Sequence, residues 1–194
     1  MIDLKTIFGD EAAAFTSEEA IALSEYAESV GMLSSGELNL EFNNKDEFHA
    51  AIVMSAIFKT AKKTISIFTG KFSGEISNNP YYREQLEIAA KNPEKNIEVI
   101  FEETPNKDSL CLQMLRKLKS EGRNVAMYLL NGEYRNKLTG TNILNHFIVG
   151  DDHMFRYETD KNHFKAYCNF DDKKIVQLLN NNFSIFRLNS VDYK

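Results

Sequence analysis

Only two cysteines occur in 194 residues, which excludes a disulfide framework. Cys111 and Cys168 have no metal-ligand spacing, and both sit in apolar patterns. They are expected as reduced core thiols, and the compartment as cytoplasmic. No cationic leader followed by an apolar run opens the chain, so no secretory signal is read there. No apolar stretch approaches the length needed to span a bilayer, so no membrane partner is expected. A basic surplus is missing too: 23 Lys and Arg stand against 28 Asp and Glu, a formal net charge of −5. Nucleic-acid contact would therefore need a local basic patch. There is no Gly-rich phosphate loop, no Gly-x-Ser-x-Gly and no useful Cys/His pairing. His153 and His163 lack a helical His-x(3)-His partner. No metal and no cofactor are implied.

What remains is the composition of a soluble globular chain, 43% hydrophobic and 26% charged, long enough for one domain with a full core. Thr16 with Glu19 fits a capping box. Ala20, Leu23, Ala27 and Val30 then recur at helical spacing, and Gly31 is placed to close that helix. Residues 1–36 are taken as an N-terminal helical appendage and 37–194 as the main domain. Leu38 to Phe42 alternates like an edge strand, and 45–63 has a helical pattern. Residues 64–69 are a β-branched apolar strand, and Asn79-Pro80 starts a helix that runs to about Lys91. Strands at 97–101 and 125–130 flank a helix through Leu110, Met114, Leu115 and Leu118 that Gly122 stops. Near-continuous apolar strands separated by helices predict an α/β fold with a mixed, largely parallel sheet covered on both faces.

Residues 131–143 are polar and read as a loop. An apolar run from Leu144 then ends in Gly150-Asp151-Asp152, which predicts a hairpin turn rather than a metal pair. A strand from His153 to Glu158, a short run Ala166 to Phe170, a cap at Asp171 and a helix over 172–187 complete the chain. No internal repeat is evident.

This order of elements, with His146-Phe147-Ile148-Val149-Gly150-Asp151-Asp152 and Ala166-Tyr167-Cys168-Asn169-Phe170 at its end, resembles one unit of the phospholipase D-like superfamily over roughly residues 38–188. The resemblance implies a signature His-x-Lys-x(4)-Asp followed by Gly-Ser-x-Asn. In that signature histidine attacks phosphorus, lysine and asparagine hold phosphoryl oxygens, and two units pair. With His146 on the histidine, Ile148 stands at the lysine and His153 at the aspartate. With the strand and turn matched instead, His146 falls on the lysine and Leu144 on the histidine. Only Asn169 matches the second motif, and Glu158 to Lys165 is longer than the family pattern.

The candidate site is therefore His146 as nucleophile or oxyanion contact, Asn169 as phosphate contact, and Arg156 with Glu158 alternating on one strand face. Arg156 would replace the missing lysine. The plainer alternatives are a strand-start histidine, a turn asparagine and a surface ion pair. Lys59, Lys62, Lys63 and Arg116, Lys117, Lys119, Arg123 end two helices, where cations complement the dipole. They read as a solvated face, with nucleic-acid contact as the alternative. The expectation is a catalytically degenerate binding or assembly module, working as a homodimer or in a hetero-complex, for a phosphodiester ligand or nucleic acid. The rival is a divergent, homodimeric, metal-independent phosphodiesterase or nuclease with a histidine nucleophile.

Overall fold

The structure is a computed structural model that describes residues 4–72, 74–139 and 144–194. A short helix α1 (Leu4–Phe8) and a 3-10 turn (Gly9–Ala14) lead into α2 (Ser17–Ser35). The capping box is formed: Glu19 N–H donates to the Thr16 hydroxyl, and Thr16 N–H donates to the Glu19 carboxylate. The helix passes through Gly31 and ends at Gly36, in the left-handed region at φ 82°. A mid-helix glycine costs about 1 kcal/mol, too little to stop a helix whose Leu23, Ala27, Val30 and Leu33 are buried.

The main chain then alternates. Strand β1 (Phe42–Asn44) is followed by α3 (Glu47–Thr60), β2 (Thr64–Thr69), α4 (Glu75–Asn78) and α5 (Pro80–Lys91). Next come β3 (Asn96–Phe101), α6 (Leu110–Ser120) and β4 (Val125–Leu130). A helix α7 (Gly132–Thr139) occupies most of the stretch expected as loop. The Asn131 side chain accepts from Glu133 N–H and starts it. No residue of α7 is fully buried; only Tyr134 and Leu138 rest partly buried on the second core, too few to mark an apolar period in the sequence. Residues 140–143 of that expected loop lie outside the described residues. Strands β5 (Phe147–Gly150), β6 (Met154–Asp160) and β7 (Lys165–Asn169), helix α8 (Lys173–Leu188) and β8 (Ser190–Asp192) complete the chain.

The eight strands form one sheet in the order β1-β7-β6-β5-β2-β3-β4-β8. β2, β3 and β4 are adjacent and parallel, as expected, joined through α4, α5 and α6. All other neighbours are antiparallel. The sheet is thus mixed rather than largely parallel, because the β5–β6–β7 connections are too short to cross over. Side chains alternate between two cores. Ile65, Ile67, Ile97, Val99 and Ile148 pack with α1, α2, α3, α5 and α6 on one face. Phe68, Ile100, Phe147, Val149 and Phe155 pack with Val176, Leu179 and Phe183 of α8 on the other. Residues of α1 and α2, among them Ile7, Phe8 and Ala27, share the first of these cores.

The expected hairpin joins β5 to β6, with Asp151 at φ 53°. Gly150 has no substitute there, since a Cβ would stand 2.7 Å from Ile57 Cγ2. The Asp151 carboxylate accepts three backbone N–H groups, of Lys62, Lys63 and Thr64, at 2.7–3.0 Å. The cap of α8 is one residue later than expected. Asp172 accepts from Lys174 and Ile175 N–H, while Asp171 accepts from the Asn39 amide. β1 is an edge strand but begins only at Phe42; Leu38 and Leu40 lie in exposed chain before it.

Candidate functional site

His146 immediately precedes β5, and its carbonyl accepts from Glu158 N–H, in line with the β5–β6 register. By strand alternation His146, Ile148, Arg156 and Glu158 share the sheet face that carries α3. β2 and β3 bring a further carboxylate to the same point. Glu102 follows the last residue of β3, and its N–H donates to Thr69 O at 2.7 Å. Gly70 lies beneath the imidazole: a Cβ there would be 3.2 Å from His146 Cε1. The ring reaches across β2 in close contact with that bare position, where a side chain would push it back by a few tenths of an ångström.

Both ring nitrogens are engaged. Nδ1 is 3.0 Å from Glu158 Oε2, and Nε2 is 2.8 Å from Glu102 Oε2. Lys161, in the β6–β7 turn, donates to the same Glu102 oxygen at 2.9 Å. Arg135 of α7 reaches Glu102 at 3.3 Å and Glu103 at 2.6 Å, and Lys71 pairs with Glu103 at 2.8 Å. Arg156 is 3% exposed and Glu158 4%. The Arg156 guanidinium donates to Asn44 Oδ1 at 2.8 Å, to Phe164 O at 2.8 Å and to Glu158 at 3.4 Å. Asn44 also donates to Phe164 O. The buried guanidinium is thus tied to an edge strand, a turn carbonyl and a carboxylate at once.

The electrostatics follow from these contacts. Burial alone would raise the Glu102 carboxyl, but hydrogen bonds from His146 and Lys161 outweigh it and hold the pKa at about 2. Burial disfavours the His146 imidazolium; the hydrogen bonds with Glu102 and Glu158 prevail and raise its pKa above 6.5. A ring with two carboxylate partners donates through both nitrogens when protonated and has no lone pair to offer. Beside it opens a cleft of about 180 Å³, whose lining includes Thr69, Gly70, Phe72, His146, Arg156 and Lys161.

Three of the four expected site residues, His146, Arg156 and Glu158, come together. Asn169 does not join them. It stands opposite Phe155 on β7, toward the far end of the strand and on the opposite face by alternation. Its side chain accepts from Asp171 N–H at 2.6 Å, a turn contact. Ile148 is 1% exposed within the core. The two basic helix ends lie by the N-terminal ends of the parallel strands, away from His146. There Arg116 and Lys119 bond the carbonyls of Lys194 and Tyr193, and Arg123 bonds Lys91 O.

The residues missed by sequence reasoning are Asn44, Lys71, Glu102, Glu103, Arg135 and Lys161. Glu102-Glu103 directly follows a parallel strand, at the carboxyl edge where open α/β sheets place their sites, and this signal was available. Among the described residues no group of three or more His, Cys, Asp or Glu is placed to hold a metal ion. None of the described helices is long and apolar enough to cross a membrane.

No family model and no curated protein matches the chain. Solved structures do. The chain has the fold of the phospholipase D superfamily. Nuc from Salmonella typhimurium, a phospholipase D family member, matches with a TM-score of 0.59 at 12% identity, over 80% of this chain and 99% of its own. NucT from Helicobacter pylori gives 0.59 at 13%, over 80% and 100%. TrmBL2, described as an archaeal chromatin protein with a novel mode of DNA binding, gives 0.59 at 12%, over 91% of this chain and 64% of its own.

Proposed function

We propose that this domain is a catalytically degenerate phospholipase D-like module that binds an anionic phosphodiester, free or within a nucleic acid, and works as a homodimer or in a hetero-complex. The observation that carries it is the double engagement of His146 by Glu102 and Glu158. An attacking imidazole needs one nitrogen free and facing phosphorus, and here both face carboxylates. Ile148, the lysine position when His146 is aligned with the family histidine, is core. Losing one such oxyanion contact from a preorganised site costs about 2.7–4 kcal/mol.

Binding is favoured by the local charge. Lys71, Arg135, Arg156 and Lys161 are four cations against the three carboxylates Glu102, Glu103 and Glu158, with the His146 imidazole between them. The surplus of cations, beside an open cleft, suits an anion although the whole chain is acidic. TrmBL2, described as binding DNA, shares this fold and lends the nucleic-acid form its support.

The test is a chelator-containing assay on DNA, RNA and a bis-aryl phosphate, beside His146→Ala, with binding of a short labelled oligonucleotide in parallel. The expected result is no turnover in either protein, and binding that weakens with salt and on Lys161→Ala. Robust turnover abolished by His146→Ala would overturn the proposal in favour of a homodimeric phosphodiesterase.

A further inference from the structure

Among the described residues three that are not glycine hold left-handed backbone: Phe72, Asp151 and Phe164, at φ 52°, 53° and 54°. Asp151 turns the hairpin. The two phenylalanines both line the cleft beside His146, and a bulky side chain is a rare choice for that conformation. At Phe164 the turn delivers the carbonyl that accepts from Arg156 and Asn44. Glycine or asparagine would do the same with less strain, so this need explains the backbone and not the ring. Strain of this kind gathers at ligand clamps.

The cleft lies between two arms. The β2–α4 connection supplies Lys71 and Phe72, and the β6–β7 turn supplies Lys161 and Phe164. Each arm thus carries one cation and one aromatic ring. Phe72 is buried and meets Phe101 edge-on at 5.3 Å, whereas Phe164 is only partly buried against the first core. The buried lining between them is apolar, with Met54, Ile67, Tyr82 and Ile148. Arg156 and Glu158 line it too, but they neutralise each other. A phosphate placed in that lining would lose its water against apolar atoms. The anion therefore stays with the two lysines, whose side chains are 55% and 28% exposed. The space of about 180 Å³ is smaller than the roughly 300–1,000 Å³ of a pocket that encloses a whole ligand. It takes one ring.

We propose that the cleft takes a single unpaired nucleobase, stacked on Phe164 and walled by Phe72, while the attached phosphate is met by Lys71 and Lys161. The inference rests on the phosphodiester reading above and names the chemistry of its ligand. That ligand is a nucleoside phosphate, either a free mononucleotide or one nucleotide of a single strand. The hydroxyls of Thr69 and Ser77 line the cleft, and a hydroxyl donates or accepts as the base edge requires. Stacking is equally tolerant, because every base has a π-face. The cleft therefore reads the presence of a base and not its sequence.

Binding of the full chain to paired ligands tests this, with circular dichroism and thermal melts as folding controls. One pair is a terminally phosphorylated oligothymidine and the same strand made abasic, read by fluorescence anisotropy. The other is thymidine monophosphate and deoxyribose phosphate, read by calorimetry. The wild type is expected to prefer the base-bearing member by about five- to a hundredfold, the worth of one base on one aromatic ring. The two pairs distinguish strand from free nucleotide, and a preference in either supports the inference. Phe164→Asn, which suits left-handed backbone, and Phe164→Leu, which keeps an apolar contact with the core, both lose the preference. Phe164→Tyr keeps it, and Lys161→Ala weakens both members of a pair alike. Equal binding of base-bearing and abasic ligands by the wild type overturns this inference and leaves phosphodiester binding standing. A preference that survives in folded Phe164→Asn and Phe164→Leu overturns the stacking position. No binding of any of the four ligands overturns both readings.

Discussion

The two ends of β5 solve the same problem in different ways. At the hairpin end, Asp151 is held by three backbone N–H groups of the segment entering β2. At the other end, His146 is held by side chains from the end of β3 and from β6, with the β6–β7 turn bound to the same Glu102 oxygen. Backbone donors cannot be mutated away or titrated, so the first arrangement belongs to the fold. Side-chain partners can be exchanged and protonated one by one. The second arrangement keeps charges in place by groups for which a ligand can compete.

The largest expected effect lies at the His146 end. Arg156→Ala leaves Glu158 buried without its counter-ion and removes the donors to Asn44 and Phe164 O. Removing one partner of a buried pair costs about 3–5 kcal/mol, a fall in Tm of roughly 6–20 °C for a chain of this size. A fall of a degree or two would show that the cluster holds nothing together.

Asp151→Ala comes next, at about 2–3 kcal/mol, from three lost charge-assisted acceptor contacts and a left-handed backbone that alanine tolerates poorly. Burial raises the Asp151 carboxyl and the amides outweigh it, so its folded pKa is lowered. Its contribution is therefore present above the unfolded value and lost only as pH falls through the folded one. The gap between Asp151→Ala and wild type should be equal at pH 6 and pH 9 in urea unfolding.

His146→Gln should behave differently. The folded pKa of His146 is raised, so its contribution is complete below the unfolded value and fades as pH rises through the folded one. The gap, about 1–2 kcal/mol at pH 6, should shrink by pH 9. A pH-independent gap would remove the contrast between the two ends. Gly70→Ala is the smallest change, under about 1 kcal/mol. It displaces the ring by tenths of an ångström, read as a shift of the His146 resonances with little change in Tm.

The parallel core was legible because β2, β3 and β4 are buried on both faces and written in continuous apolar runs. The hairpin was legible from Gly150-Asp151-Asp152, whose backbone need is local. α7 was not, since an exposed helix carries no apolar period. The site was half legible. Arg156 and Glu158 show their shared face by strand alternation, but Glu102 and Lys161 reach His146 only through the order of the strands, which no local pattern encodes. Asn169 misled for the same reason, since its motif match says nothing of the face on which it stands.

The central claim is that His146 is a doubly bound imidazolium rather than a poised nucleophile. A titration of the ¹⁵N-labelled imidazoles by NMR, assigned with His146→Gln, tests it most directly. The account predicts a midpoint above 6.5, with Nδ1 and Nε2 both protonated below it and both lost together on Glu102→Gln with Glu158→Gln. A ring that is neutral at pH 6.5, with Nε2 unprotonated and insensitive to those two substitutions, would contradict it.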